Sequence, residues 1–358
     1  PDANVDEHVE QPAYPLRANR GVPPDRFSPG FKSTQFIVQS KYTDDPVSLD
    51  EVKRRLDWPS WKQAMETELK ALQELGTFTV SKLPPGRKAI PCRWVFKVKR
   101  DEKGDIIKYR ARLVAKGFKQ IAGRDYSEVF APVSKHATFR MLLSVVASHD
   151  LELHHIDIKT AFMNGELQEE IFMQPPPGWQ GKHVWRLHKG VNGLKQAARA
   201  WNEKLTETVR KLGYIPSSSD ISLFISGKPP NVSYMLCYVD DILIAGDIDT
   251  VKRTKNAIAK IFKCEDMGEA NLFLGMKIIR DRSQRTLWLG QPHYVLEILE
   301  RAGLKDCKPR RTPLDANLSL SKDSGEATQD ILEKYQELVG CLLYLTGCTR
   351  PDIAQAVG

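Results

Sequence analysis

The stretch Ser233–Gly246, SYMLCYVDDILIAG, has two adjacent acids in the middle of an apolar run. Met235–Val239 and Ile242–Ala245 are short and apolar, which predicts two buried strands joined at Asp240 and Asp241. Two neighbouring carboxylates in apolar surroundings repel each other and lose hydration, so one stays protonated unless cations neutralise the pair. The stretch therefore predicts a β-hairpin with a cation-binding site at its tip.

The composition narrows the class of protein. With 358 residues, 41% hydrophobic and 27% charged, the chain is typical of a soluble globular protein with two or three structural units. No apolar run reaches the roughly 18 residues of a membrane span. The six cysteines form no CxxC pair, which argues against a zinc site and a disulfide framework and predicts an intracellular, reducing compartment. Because the sequence begins at Pro1 without a signal peptide, we expect a piece of a longer product.

The net charge of +8 is concentrated between Arg93 and Lys119, which hold ten Lys and Arg against three Asp and Glu. The segments RWVFKVKR (93–100) and IIKYRARLVA (106–115) alternate apolar and basic residues around a turn at Gly104. This pattern predicts a hairpin with one apolar and one basic face. No acid of the two strands offsets the five cations of the basic face, so we expect it to contact phosphate groups; a solvated surface is the alternative. Those cations are Lys97, Lys99, Lys108, Arg110 and Arg112.

The rest of the chain divides by composition and periodicity. Residues 1–50 hold seven of the 22 prolines and predict a disordered, Pro-rich linker. From Trp58 to Leu75, apolar residues at helical spacing predict a core helix, with the acids of that segment mostly turned outward. His154 and His155 have no metal-ligand partner at i+3 or i+4, so no function is predicted for them. Further patterns predict a helix over 139–146, a strand ending near Asp157, helices over 194–205, 252–262 and 294–304, and a second hairpin over 270–290.

A strand-end Asp157, the Asp240–Asp241 pair and the basic hairpin are the parts of a two-metal phosphoryl-transfer site. Two divalent ions about 4 Å apart need several bridging carboxylates and little else from the protein. Mg²⁺ suits carboxylates combined with substrate phosphates. The chain has no GxxxxGK[ST], HExxH, GxGxxG or GxSxG motif, which excludes the commonest nucleotide-binding, protease and esterase classes.

Six blocks of the sequence, in the family's order, resemble the reverse transcriptase region of Ty1/copia-type retrotransposon polyproteins. They are YRARLVAKGFKQIAGRDYSEVFAPV (109–133), IDIKTAFMNGELQEEIFMQPPPGW (156–179), GLKQAARAWNEKL (193–205), YVDDILIAG (238–246), FLGMKI (273–278) and TRPDIA (349–354). The resemblance implies an α+β right-hand polymerase over residues 51–310, with fingers, an antiparallel palm sheet backed by helices, and a partial thumb. Residues 311–358 would then connect to an RNase H region.

The same resemblance implies the metal ligands and the reaction. Asp157, Asp240 and Asp241 match the catalytic triad, which would hold two Mg²⁺ ions, with Mn²⁺ as an alternative. The implied activity is that of an RNA-directed DNA polymerase that joins a dNTP to a primer 3′-hydroxyl on an RNA or DNA template. The expected partners are the template with its primer, the dNTP, and the integrase and RNase H regions of the polyprotein. The expected location is cytoplasmic, in a virus-like particle, with no membrane association.

Further residues match family positions that bind the nucleotide. Phe162 matches the aromatic residue that stacks under the incoming sugar and excludes a 2′-hydroxyl, and Gln196 matches a glutamine that lines the nucleotide pocket. Arg110 or Arg112 would reach the triphosphate, and Lys97, Lys99 and Lys108 would contact the nucleic acid.

Two positions beside Gln196 depart from the family's pattern. Asn192 stands where Tyr is usual, and Ala198 stands where Pro is usual. One alternative is therefore a degenerate polyprotein fragment that binds nucleic acid without catalysis. Another, a nucleotidyl cyclase, would share the two-metal chemistry but has no need of a basic hairpin.

Overall fold

A computed structural model describes residues 45–100, 105–179, 181, 183–315 and 328–358. The helices in these residues are α1 (Leu49–Arg54), α2 (Trp58–Glu74), α3 (His136–Ser148), α4 (Ala197–Lys211), α5 (Ile248–Ala259), α6 (Pro292–Arg301), α7 (Gln329–Cys348) and α8 (Ala354–Val357). The strands are β1 (Phe78–Ser81), β2 (Cys92–Arg100), β3 (Ile106–Ala115), β4 (Glu152–Ile158), β5 (Glu166–Met173), β6 (Val184–Lys189), β7 (Ile215–Pro216), β8 (Leu223–Lys228), β9 (Asn231–Tyr238), β10 (Asp241–Gly246), β11 (Cys264–Glu269), β12 (Leu272–Phe273), β13 (Met276–Asp281) and β14 (Thr286–Gly290).

The described strands form four sheets, and all their pairings are antiparallel. The largest has six strands in the order β11-β4-β10-β9-β8-β7. Two sheets have three strands, β1-β6-β5 and β12-β13-β14, and β2 pairs with β3 alone. The mixture of helices with antiparallel sheets confirms the predicted α+β class.

The six-stranded sheet is buried on both faces at its centre, where β4 and β10 lie. On one face, Ile156 and Ile242 belong to the same core as Trp201 of α4. On the other face, Leu153 and Leu243 pack with α3 and the β12–β14 sheet. Burial on both faces explains why the strands flanking the acid pair are continuous apolar runs.

The β2–β3 hairpin packs its apolar face against α2. The Trp61 ring contacts the rings of Phe96 and Tyr109 edge to face, with centroids 5.3 and 4.8 Å apart. Trp61 is fully buried, and so is Leu72 on the same helix. The predicted core helix and the two-faced hairpin are therefore confirmed, while the predicted turn residues 101–104 lie outside the described part.

The C-terminal end of β3 is joined tightly to the turn that precedes α4. The Ala115 amide donates a hydrogen bond of 2.7 Å to the Asn192 carbonyl. Gly193 has φ +89°, and a Cβ there would lie 2.2 Å from the Ala115 carbonyl oxygen. Only glycine fits this close approach, which holds the hairpin beside the large sheet.

Three predicted segments gain detail from the structure. Residues 1–44 of the predicted linker lie outside the described residues, and its last two residues already belong to α1, whose N-cap is Ser48. The second hairpin has three strands because a turn at Gly275, with φ +75°, adds β12. The predicted connecting segment contains α7, whose end is hydrogen-bonded to α3 through Arg140 and the Cys348 carbonyl. Among the described helices, none has the length and apolarity needed to cross a membrane.

Candidate active site

The acid pair lies at a two-residue turn between β9 and β10, where Tyr238 pairs with Asp241. Val239 has φ +55°, a value that β-branched residues rarely adopt and that glycine usually supplies in such hairpins. The indole N–H of Trp201 donates a 2.7 Å hydrogen bond to the Val239 carbonyl and holds this turn. The strained turn therefore presents Asp240 and Asp241 in one fixed place at the end of the sheet.

Asp157 lies directly opposite Asp241 in the pairing of β4 with β10. On its other side, Asp157 pairs with Glu265 of β11. Because residues paired across antiparallel strands share a face, the three carboxylates project from the same side of the sheet. The structure thus brings Asp157 to the acid pair, as the sequence predicted, and adds Glu265.

The negative charges of Asp157, Asp240 and Asp241 repel one another. Burial raises the pKa of Asp240, and the neighbouring Asp241 and Asp157 raise it further, while Arg112 lowers it. The carboxyl of Asp240 therefore resists ionisation, as expected for adjacent acids in apolar surroundings.

Two basic side chains of the β4 segment contact the acids. The Lys159 ammonium lies 2.9 Å from Asp157 Oδ1 and 2.5 Å from Glu265 Oε2. His155 Nε2 lies 2.7 Å from Asp241 Oδ1. The sequence predicted no function for His155, and the structure places it in contact with a candidate catalytic acid. Lys159 and His155 stand two residues either side of Asp157, the spacing that places strand residues on one face, and that spacing could have identified both.

A cleft of about 240 Å³ lies next to the acids. Its lining includes Glu68 of α2, Arg110 and Arg112 of β3, Phe162, and Asp240. The cleft therefore brings the basic face of the hairpin opposite a catalytic candidate of the large sheet.

The two arginines of the cleft have no counter-ion in contact. In the described part of the chain, no hydrogen bond or ion pair holds the guanidinium of Arg110 or of Arg112. Burial and the charge of Arg110 lower the pKa of Arg112, whereas Glu68, Asp240 and Asp157 raise it. Unpaired guanidinium groups in a cleft are suited to a phosphate ligand.

Phe162 belongs to a short 3-10 turn, Ala161–Asn164, that follows Thr160 at φ +53°. Its neighbours Ala161 and Met163 are buried, and Phe162 itself is half-buried and lines the cleft. Its ring therefore lies where a ligand in the cleft would meet it.

Residues 75–316 match the reverse transcriptase (RNA-dependent DNA polymerase) family. The chain belongs to the reverse transcriptase family. It is 40% identical to the Pol polyprotein of transposon TNT 1-94 from Nicotiana tabacum over 357 residues, covering 96% of this chain and 26% of the relative. It is 39% identical to the Pol polyprotein of transposon RE2 from Arabidopsis thaliana, covering 83% of this chain and 20% of the relative.

These relatives confirm the predicted resemblance to Ty1/copia-type polyproteins. The chain spans about a quarter of their length or less. Among solved structures, a foamy viral protease-reverse transcriptase in complex with double-stranded DNA aligns with 80% of this chain and 40% of its own, at 11% identity and a TM-score of 0.38.

One predicted pocket residue of this reverse transcriptase lies away from the cleft. Gln196 is 3% exposed and is absent from the cleft lining, to which the nearby Asn192 contributes instead. Its amide donates a 2.8 Å hydrogen bond to the Asp125 carbonyl and accepts one of 2.9 Å from Gln120. The structure thus places the Gln196 side chain in a buried hydrogen-bonded group outside the cleft lining, and its predicted role in nucleotide binding stays a prediction. Because α4 begins only at Ala197, the side chain before it turns into the loop around Gln120.

The three predicted nucleic-acid lysines share the basic face of the hairpin. Lys97 pairs with Arg110, and Lys99 pairs with Lys108. Lys159 lowers the pKa of Glu265 most, and Lys108 and Lys99 lower it further, so the hairpin faces β11. The two strands carry no acid that offsets this face, as the sequence indicated, and the acid whose pKa these lysines lower, Glu265, belongs to β11.

The residue types fit the divalent ions that the reverse transcriptase family implies. Asp157, Asp240 and Asp241 supply the hard oxygen ligands that Mg²⁺ prefers. Burial, and then the charges of Asp241 and Asp157, raise the pKa of Asp240, and a bound cation would oppose both effects. No three His, Cys, Asp or Glu side chains of the described residues form a ready metal cluster. Lys159 contacts Asp157 and His155 contacts Asp241. The carboxylates of Asp157 and Asp241 would have to leave these contacts to bind an ion.

Proposed function

We propose that the chain is an RNA- and DNA-templated DNA polymerase that transfers nucleotides from dNTPs to a primer 3′-hydroxyl. One observation carries this proposal: a cleft in which two unpaired arginines share the lining with Asp240, next to the Asp157–Asp241 pair of the large sheet. Phosphoryl transfer needs cations for the phosphates and carboxylates for divalent ions at one place, and little further protein chemistry.

We assign the parts of a right hand to the described elements. The fingers are α1, α2 and the β2–β3 hairpin, and the palm is the six-stranded sheet with α3, α4 and α5. The β12–β14 sheet and α6 form a partial thumb. This division is supported by the position of the cleft between the hairpin and the end of the large sheet.

In the proposed mechanism, Asp157, Asp240 and Asp241 would hold two Mg²⁺ or Mn²⁺ ions, which would lower the pKa of the attacking hydroxyl and stabilise the leaving group. The primer 3′-hydroxyl loses its proton to solvent and its oxygen bonds to the α-phosphorus of the dNTP. The bond from that phosphorus to the bridging oxygen breaks, and pyrophosphate leaves. The fixed turn at Val239 keeps two of the carboxylates in place throughout.

The remaining cleft residues bind and select the nucleotide. Arg110 and Arg112 donate hydrogen bonds to triphosphate oxygens. The ring of Phe162 lies beside the sugar and leaves no room for a 2′-hydroxyl. On the outer part of the same hairpin face, Lys97, Lys99 and Lys108 contact phosphates of the template and primer.

The partners follow from this activity and from the relatives. We propose that the substrates are a primed RNA or DNA template and dNTPs. We further propose that the chain works as part of a longer polyprotein with integrase and RNase H regions, inside cells and in virus-like particles.

The test is incorporation of dNTPs directed by a primed template of defined sequence, with Mg²⁺ or Mn²⁺ present. We expect extension on RNA and on DNA templates, with only the complementary dNTP added at each position. If the chain binds the primed template but extends it with neither ion, the alternative of a binding protein without catalysis replaces this proposal.

A further inference from the structure

An acid lies on the apolar stripe of α2. Glu68 follows Trp61 by seven residues and Met65 by three, so it faces the hairpin with them. The expectation that the acids of this helix turn outward was wrong for Glu68, which is half-buried and lines the cleft. A glutamate is rarely buried on a core-facing stripe unless it has a specific partner.

The partner of Glu68 is a backbone group of the hairpin. Its Oε1 accepts a 3.2 Å hydrogen bond from the amide of Leu113 on β3. In the described sheets β3 pairs with β2 only, so this amide lies on the open edge of the strand. A glutamine could accept the same hydrogen bond, and the bond alone therefore gives no reason for a charge.

The charge of Glu68 acts on the two arginines. Burial raises the pKa of Glu68, whereas the Leu113 amide and then the charges of Arg112 and Arg110 lower it. Arg112 experiences Glu68 from α2 and Asp240 and Asp157 from the large sheet. A negative charge in the lining of the cleft reduces the attraction of the arginines for an anion.

We propose that Glu68 is a positioning residue that anchors the edge of β3 and limits the affinity of the cleft for polyphosphate. This inference rests on the proposed function in that a nucleotide triphosphate and its pyrophosphate product are the ligands. The hydrogen bond to Leu113 fixes the strand that carries Arg110 and Arg112. The carboxylate offsets part of their charge, so that pyrophosphate leaves more readily after each addition.

One substitution distinguishes the effect of the Glu68 hydrogen bond from the effect of its charge. Glu68→Gln keeps an acceptor for the Leu113 amide and removes the charge. We expect Glu68→Gln to bind inorganic tripolyphosphate about threefold to tenfold more tightly, since one negative charge near the phosphates is removed and screening is weak at low ionic strength. The measurement is calorimetric titration of the purified chain with tripolyphosphate in EDTA. We expect the melting temperature to be equal to or slightly above that of wild type, because the raised pKa of Glu68 means that its ionised form destabilises the fold.

Two further variants control the interpretation. Glu66→Gln removes the same charge from the outer face of α2, where the Glu66 side chain is 65% exposed, and we expect no change in affinity. Glu68→Asp keeps the charge but shortens the side chain, so we expect a lower melting temperature with wild-type affinity. The inference would be overturned if Glu68→Gln and wild type bound tripolyphosphate with equal affinity. It would also be overturned if Glu66→Gln gained as much affinity as Glu68→Gln, or if Glu68→Asp bound tripolyphosphate more tightly than wild type.

Primer extension by the same preparations separates this inference from the proposed function. If wild type extends a primer and Glu68→Gln binds tripolyphosphate no more tightly, only the role of Glu68 is refuted. If wild type fails to extend any primer, the proposed polymerase is refuted, while tighter binding by Glu68→Gln still supports a charge effect on the cleft.

Discussion

Acidic residues lie at both ends of the β4–β10 strand pair, but the basic side chains around them differ. At one end, Glu152 pairs in register with Gly246, and Arg282 contacts it with an N–O distance of 2.6 Å. At the other end, Asp157 pairs with Asp241, and the arginines of the hairpin lie across a cleft without contacting them. Direct arginine contacts neutralise the acids of the first end. At the second end Lys159 contacts Asp157 and His155 contacts Asp241, but no cationic side chain of the described residues contacts Asp240.

The difference separates acids that hold the fold from acids available for a ligand. Arg280 and Arg282 both contact Asp150, and Arg280 also donates a 2.6 Å hydrogen bond to the Leu151 carbonyl. These contacts attach the β13–β14 strands to the large sheet. Around Asp240 the fold retains a carboxyl with a raised pKa, and such unfavourable groups concentrate at functional sites.

The largest expected effect is at Asp240, which no cationic side chain of the described residues contacts. We predict that Asp240→Asn lowers the rate of primer extension by at least about a thousandfold, because it removes one charged ligand of a divalent ion. Binding of the primed template should change little, since it rests on lysines and arginines elsewhere. Extension and duplex binding are measured on one preparation, with Asp249→Asn on exposed α5 as the control. Extension by Asp240→Asn at the wild-type rate would remove Asp240 from the reaction.

The same variant should be slightly more stable than wild type in the absence of divalent ions. A carboxyl whose folded pKa lies above its ordinary value of 3.8 destabilises the fold once it is ionised. That penalty is complete above the folded pKa and disappears below pH 3.8. We therefore expect Asp240→Asn to raise the melting temperature by about 1–3 °C at neutral pH and to lose this advantage in acid, as thermal scans across pH would measure. Arg282→Gln, at the neutralised end, should give no such gain.

Local patterns in the sequence predicted the elements of this comparison but not every interaction between them. The strands around Asp240, the helix from Trp58 and the basic hairpin follow from short-range periodicity, which depends only on neighbouring residues. The Asp157–Glu265 pairing depends on the register of strands far apart in sequence, which no local pattern contains. The direction of the Gln196 side chain depends on α4 beginning at Ala197, three residues later than the predicted helix. Glu68 is the exception among acids predicted to turn mostly outward, because its spacing from Trp61 places it on the apolar stripe.

The next effect concerns the cations of the β2–β3 hairpin, two of which line the cleft together with Asp240. We predict that replacing Lys108, Arg110 and Arg112 together by Gln lowers the salt dependence of duplex binding or raises the KM for dNTP. Each duplex phosphate that the variant no longer neutralises should reduce the log–log slope by about 0.9. The matched control replaces the exposed Lys252, Arg253 and Lys260 of the α5 region, which changes the net charge equally on another surface. If the hairpin and α5 variants behave alike, the hairpin face is a solvated surface.

A smaller effect is expected at Phe162, an uncharged residue of the cleft lining. We predict that Phe162→Val raises incorporation of ribonucleotides relative to deoxyribonucleotides by about tenfold, or roughly 1.4 kcal/mol, because the smaller side chain no longer excludes the 2′-hydroxyl. Single-nucleotide extension at matched template positions measures the ratio. Met173→Val is the control, since Met173 is fully buried outside the cleft lining and its replacement should lower stability without changing sugar selection. If Phe162→Val lowered the melting temperature but left the ratio of ribonucleotide to deoxyribonucleotide incorporation unchanged, Phe162 would be a core residue with no role in sugar selection.

The smallest effect is expected where the acids are already neutralised. Arg282 contacts Asp150, Glu152 and Glu269, but its side chain is 38% exposed, so water and salt weaken each ion pair. We predict that Arg282→Gln lowers the free energy of unfolding by about 0.5–1 kcal/mol and leaves the rate of extension unchanged. Arg285→Gln removes the same charge from the exposed turn nearby and should have no effect on stability. Chemical denaturation of the three proteins at low and high salt decides between these outcomes, because the cost of removing Arg282 should shrink as salt rises. A loss of extension in Arg282→Gln at unchanged stability would contradict the assignment of structural acids to one end of β4 and catalytic acids to the other.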